Sequence, residues 1–179
     1  MRHAAWSLAR RRFWGDNHLT LTPQIRSAFE YFPTMGYQTL QARVLLPGAA
    51  AGQALVLPDP LSLWGGLDPQ TGEIIDRRHP SSGQNLTGRV LVLPVGRGSS
   101  SASSILLEAV RLGTAPAAII TAEPDAILAL GAAVAREMYG RAPPILVLSP
   151  HDYAQIHNGQ VIAIAEDGAV TVTPHPKDR

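Results

Sequence analysis

Residues 90–113 read VLVLPVGRGSSSASSILLEAVRLG, and this stretch decides the fold. Arg89 to Val95 reads as a continuous apolar strand, suited to a sheet covered on both faces. A Gly96-Arg97-Gly98 turn follows, then five serines in the six positions 99–104, then an apolar-periodic segment that Gly113 stops. Strand, glycine turn and helix in this order put Arg97, Gly98, Ser99 and Ser100 at a helix mouth. The first helical N–H groups there lack intrahelical partners and the dipole is positive, so the place suits an anion. The same field would favour the ionised form of a serine.

Working outward, the pattern repeats. Ala117–Thr121 and Ile145–Leu148 read as further buried strands, with a helix expected over Glu123–Tyr139 between them. Its acidic first turn and the Gly140 after it agree with helix polarity. In the first helix Glu108 and Arg111 are spaced to pair at i,i+3. Val44–Leu46 and Ala54–Leu57 are expected as short strands upstream. Val161–Ile164 and Val170–Val172 are expected as a closing hairpin over Glu166-Asp167-Gly168. The sum is an α/β domain with a partly parallel core.

Residues 58–88 form a long stretch dense in Pro, Gly, Asp and Ser, which in a compact domain is expected to be functional or to carry short strands of its own. It offers Trp64-Gly65-Gly66, Asp68, Asp76, Arg77, Arg78 and His79. Asp68-Pro69 and His79-Pro80 are also ordinary turn sequences, and a single histidine has many structural uses. His151, His157 and His175 lack metal-ligand spacing. The serine turn lacks the lysine of a P-loop, the third glycine of a dinucleotide fingerprint and the order of a nucleophile elbow.

The chain has 179 residues, 45% hydrophobic and 16% charged, enough for one packed domain. A net charge of +1 gives no electrostatic footprint for nucleic acid. There is no cysteine, which excludes disulfides, a thiol nucleophile and a cysteine-ligated cluster within the chain. No apolar run reaches membrane-spanning length, and MRHAAWSLARRRFWGD lacks the apolar core of a secretory leader. A cytoplasmic protein without a membrane partner is expected. Residues 1–34, with Trp6 and Trp14 beside Arg10–Arg12, are expected to form an extension or to precede the true start at Met35. Residues 35–179 are expected to form the domain.

PLSLWGGLDPQTGEIIDRRHPSSGQNLTGRVLVLPVGRGSSSASSILLEAVRLGTAPAAII, continued by GAAVAREMYGRAPPILVL and the hairpin near Asp167-Gly168, resembles the small subunit, or swivelling domain, of aconitase X enzymes. The resemblance covers roughly residues 41–172. It implies a swivelling β/β/α fold, a mixed or barrel-like β core with flanking helices, that closes over a large subunit. It also implies that this partner carries the cluster cysteines and an iron–sulfur cluster, with none bound by this chain. The family's activities are hydro-lyase dehydrations of hydroxy acids, of cis-3-hydroxy-L-proline or of phosphomevalonate. By the same resemblance Ser99 takes the α-proton, with Ser100 the alternative base, while Arg97, Gly98 and Ser100 bind substrate. The Ala- and Arg-rich composition fits a bacterial source and so favours hydroxyproline. A non-catalytic anion- or nucleotide-binding module is the competing class.

Overall fold

A computed structural model of the chain describes residues 37–98 and 100–174. The expected extension over residues 1–34, the alternative start at Met35 and the serine at position 99 lie outside the described residues. Among the described residues, ten strands and three helices follow in order: β1 (Gln38–Gln41), β2 (Arg43–Leu46), β3 (Ala50–Val56), β4 (Leu67–Asp68), β5 (Glu73–Ile74), β6 (Val90–Leu93), α1 (Ser101–Leu112), β7 (Ala118–Thr121), α2 (Ala126–Tyr139), β8 (Ile145–Val147), α3 (Pro150–Tyr153), β9 (Val161–Ile164) and β10 (Ala169–Val172).

Eight strands form one sheet in the order β1-β10-β9-β3-β6-β7-β8-β2. The segment β3-β6-β7-β8 is parallel throughout, as the buried apolar runs and intervening helices require. The flanks are antiparallel: β9 on β3, β10 on β9, β1 on β10 and β2 on β8. The two ends of this order, β1 and β2, are consecutive in the chain with only Ala42 between them. One bent segment therefore spans both edges and bends the sheet into a nearly closed barrel. A register shift between Val44 and Leu46 helps this bend, because a bulge increases local twist. Closure leaves few free ladder groups at the edges.

The alternation of side chains across the strands produces two cores. Val90, Val92, Ala118, Ile120, Ile162 and Val170 fill the barrel interior. Leu91, Leu93 and Ile119 point outward and pack with Leu106 of α1, Leu128 of α2 and Leu55. The helices lie close together: a Cβ on Gly131 of α2 would come within 2.8 Å of the Ser103 carbonyl oxygen and 2.9 Å of its Cα. The first turn of α1 is thus held directly against α2.

Helix α2 begins at Ala126 rather than at Glu123. Pro124 disfavours the helical conformation before it, and Asp125, with φ −118° and ψ 98°, is the N-cap. Its Oδ1 accepts from the Ile127 and Leu128 amides at 3.0 and 2.9 Å, so the acidic residue that matters is the cap and the first turn holds none. Strand β3 starts earlier than expected, at Ala50, because its first half pairs with β9 and its second half with β6. The Glu108–Arg111 pair forms on the exposed face of α1 with contacts of 2.7 and 2.8 Å.

Tyr153 packs against the barrel core. Its hydroxyl is buried without a hydrogen-bond partner among the described residues, and burial pushes its pKa up from 10.0 to about 12. Tyr153→Phe is expected to stabilise the domain by about 1 kcal/mol near neutral pH, by removing an unsatisfied buried polar group. Between pH 10 and pH 12 the unfolded chain gives up this proton while the folded chain keeps it, so wild type loses stability as pH rises. For a half-buried group that further loss is about 1 kcal/mol. Denaturant titrations of both proteins at pH 8 and pH 11.5 check it: the advantage of the variant should widen at the higher pH.

Candidate active site

The strand β6 ends at Leu93, and the chain turns through Gly96-Arg97-Gly98 before entering α1. The turn is tied to the long loop: the Arg97 amide donates to the Leu61 carbonyl at 3.0 Å, and Leu61 and Gly96 form an isolated parallel bridge. Gly98 adopts φ 120°, a conformation a side chain resists. Ser100 is the N-cap of α1, exposed and in the right-handed helical region, with no capping hydrogen bond from its side chain. The Ser103 and Ser104 hydroxyls turn back onto the Ser100 and Ser101 carbonyls and leave the helix N–H groups to other partners.

A cleft of about 600 Å³ opens beside the turn. The loop 58–88 supplies most of its wall, with Asp59, Ser62, Trp64-Gly65-Gly66, Asp76, Arg78 and His79 facing Arg97 of the turn. Trp64 is 60% exposed at this wall. Asp76 accepts from the Arg78 amide at 3.0 Å and meets the Arg78 guanidinium at 3.8 Å, an exposed and weak ion pair. Arg97 is also exposed, and its guanidinium makes no hydrogen bond or ion pair to a described residue. Its planar fork is open to the cleft.

His79 is not an open acid–base group. It is 7% exposed, its Nδ1 accepts from the Ser81 amide at 3.0 Å, and its Nε2 lies 3.2 Å from the Asp59 carbonyl. An Nδ1 that accepts from an amide places the proton on Nε2, which then donates to Asp59. Both nitrogens are committed, and the ring clamps the two sides of the loop. Asp68 likewise serves the loop, accepting from the Gln70 amide and the Thr71 hydroxyl, both at 2.9 Å.

Of the four residues read from the sequence, Arg97 lines the cleft, Gly98 and Ser100 flank it in the chain, and Ser99 lies outside the described residues. Ser62 went unread. Its hydroxyl donates to the Trp64 carbonyl at 3.0 Å, and a Cβ on Gly98 would lie 2.9 Å from the Ser62 Oγ. The available signal was its place between Leu61 and Leu63, both buried, which turns its side chain to the open face.

With no cysteine in the sequence, and no grouping of three His, Asp or Glu suited to a metal among the described residues, the residues present do not fit an iron–sulfur cluster. None of the described helices is long and apolar enough to cross a membrane.

Comparison with known proteins agrees with the fold. The family model for the aconitase X swivel domain matches residues 39–172. A cis-3-hydroxy-L-proline dehydratase from Pseudomonas aeruginosa is 56% identical over 106 residues, 59% of this chain, although the chain spans only 18% of that enzyme's length. The phosphomevalonate dehydratase small subunit of Thermococcus sibiricus is 37% identical over 134 residues, which is 74% of this chain and 97% of that subunit. The crystal structure of aconitase X from Thermococcus kodakaraensis in its holo-form superimposes with a TM-score of 0.68 at 30% identity, covering 76% of this chain and 99% of that one. With a family match over three quarters of its length and a solved relative of the same fold, the chain belongs to the aconitase X swivel domain family.

Proposed function

We propose that this chain is the swivelling half of a two-part hydro-lyase that dehydrates a small hydroxy acid, and that residues 35–179 are its working unit. The observation that carries the reading is the open Arg97 fork, which faces a cleft at the mouth of a helix with no side-chain cap from Ser100. A planar guanidinium binds a carboxylate through two parallel hydrogen bonds. With the carboxylate there, the neighbouring α-carbon is brought to the serine turn. Ser99 takes the α-proton, the electron pair of that C–H bond becomes the new C=C bond, and the β-hydroxyl leaves with its bonding pair, takes one proton from solvent and is released as water, while Ser99 later returns its proton to solvent. Gly98 and Ser100 line the path of the developing charge, and the dipole of α1 lowers the cost of an alkoxide at Ser99.

The residues of this chain do not fit a cluster, so the iron–sulfur cluster and the groups that receive the leaving hydroxyl are assigned to a large partner subunit in the cytoplasm. Identity favours cis-3-hydroxy-L-proline as substrate, since the Pseudomonas relative named for it is 56% identical. Phosphomevalonate is the second reading, supported by the near full-length match to the Thermococcus small subunit.

Anaerobic mixing with the cognate large subunit tests this. Dehydration is expected only with both chains present, with cis-3-hydroxy-L-proline preferred over phosphomevalonate. Preference for phosphomevalonate would replace the substrate. Binding of an anion or nucleotide by this chain, with no complex and no turnover, would establish the non-catalytic module instead.

A further inference from the structure

We infer that Asp125 and Ser62 are positioning residues that hold the Gly96–Gly98 turn from its two sides, an inference that rests on the turn's proposed role in the reaction. Gly96 is not among the residues with positive φ, so its backbone conformation does not call for glycine. Space does. A Cβ at residue 96 would overlap Asp125 Oδ2 and lie 3.2 Å from its Cγ. Asp125 is only 9% exposed, and its Oδ1 is fixed by the Ile127 and Leu128 amides, so the carboxylate cannot swing aside without uncapping α2. Its Oδ2 makes no hydrogen bond to a described residue and is directed at the root of the turn.

On the other side, the Ser62 hydroxyl is oriented by its bond to the Trp64 carbonyl and abuts Gly98. The Arg97 amide is held by the Leu61 carbonyl between these two contacts. The residue that faces the substrate is therefore flanked by Gly96, whose size is set by Asp125, and by Gly98, whose backbone conformation calls for glycine and against which Ser62 packs. A turn displaced by about 1 Å is enough to cost about 100-fold in rate, because reacting groups must meet within a narrow range of distance.

The test is a double-mutant cycle in the enzyme reconstituted with its large subunit, read as kcat, as KM and as exchange of the substrate α-proton with solvent. Gly96→Ala is expected to lower kcat about 100-fold and α-proton exchange with it. Asp125→Ser, which keeps a good helix cap but withdraws the carboxylate, is expected to cost about tenfold. In the double variant the alanine methyl occupies the vacated space, so Gly96→Ala should cost less than about threefold there. A merely structural role would lower the thermal midpoint and complex formation together without this rescue. Ser62→Val, which crowds Gly98, is expected to lower kcat about tenfold and keeps the proposal testable if Gly96→Ala fails to fold.

An undiminished cost of Gly96→Ala in the Asp125→Ser background overturns the proposal, as does wild-type turnover in both Gly96→Ala and Ser62→Val. Full activity in Ser99→Ala would instead overturn the base assignment. The cycle still decides the positioning claim in that case, because Arg97 sits on the same turn.

Discussion

Ser99→Ala is expected to reduce kcat of the reconstituted enzyme by at least about 10³-fold, within the range a general base contributes. An unassisted serine hydroxyl is too weak an acid to work as a base at neutral pH. The loss is therefore large only if its surroundings favour the charged form, as the proposed field of Arg97 and the N-terminus of α1 would. The variant should still bind the large subunit and substrate, since a hydroxyl-to-hydrogen change leaves the Arg97 fork in place. Two measurements separate the base from a bystander. Exchange of the substrate α-proton with solvent should disappear in Ser99→Ala. Ser100→Ala should retain exchange and lose about tenfold, mainly through KM, as expected for a neutral hydrogen bond to substrate. The reverse pattern would move the base to Ser100. Retained exchange in both variants would remove the serine turn from the chemistry.

The half of the fold that carries this turn was legible because its signals are local. The VLVL, AIIT and ILV segments are buried at every position, which is why they read as uninterrupted apolar runs. Gly113 and Gly140 take left-handed caps at the ends of α1 and α2. The barrel closure was not legible. Strand β1 has the sequence QTLQ with Leu40 as its one buried residue, and nothing in those four residues says that they pair with Val172 to Ala169, more than a hundred positions away. Asp125 shows the same limit at the scale of a site. Its sequence context suggests an acidic first turn, and the structure makes it a cap whose second oxygen sets the size of residue 96. His79 could be read as an acid–base candidate because its two partners, Asp59 and Ser81, are visible only once the loop is folded. Arg97 could be placed at a turn because glycines on both sides announce one whatever the tertiary context. Ser62 could not be read because it meets that turn from 36 positions upstream, through space.

Arg97→Ala is expected to lower kcat/KM by about 10³-fold and Arg97→Lys by about 10²-fold, mostly through KM, if the guanidinium binds the substrate carboxylate through two parallel charge-assisted bonds. The difference between the two variants is the informative quantity. Lysine keeps the positive charge near the helix mouth but presents a single mobile ammonium, so whatever activity it recovers over alanine measures charge, and the remaining deficit measures the fork. Because Arg97 is exposed and has no hydrogen-bond or ion-pair partner among the described residues, removing it strands no buried anion in the free chain. Its stability cost should stay within about 0.5 kcal/mol, as for other surface substitutions. That separation makes the assignment decidable: the thermal midpoint stays, and the affinity for a carboxylate-bearing competitive inhibitor falls about 10²–10³-fold, equivalent to about 3–4 kcal/mol. An inhibitor identical except for an uncharged amide in place of the carboxylate should bind wild type and Arg97→Ala alike. If both inhibitors lose affinity equally, Arg97 shapes the cleft rather than reading the carboxylate. If KM is unchanged and kcat alone falls, the guanidinium acts on the charge developing at Ser99 and substrate anchoring belongs to the partner subunit.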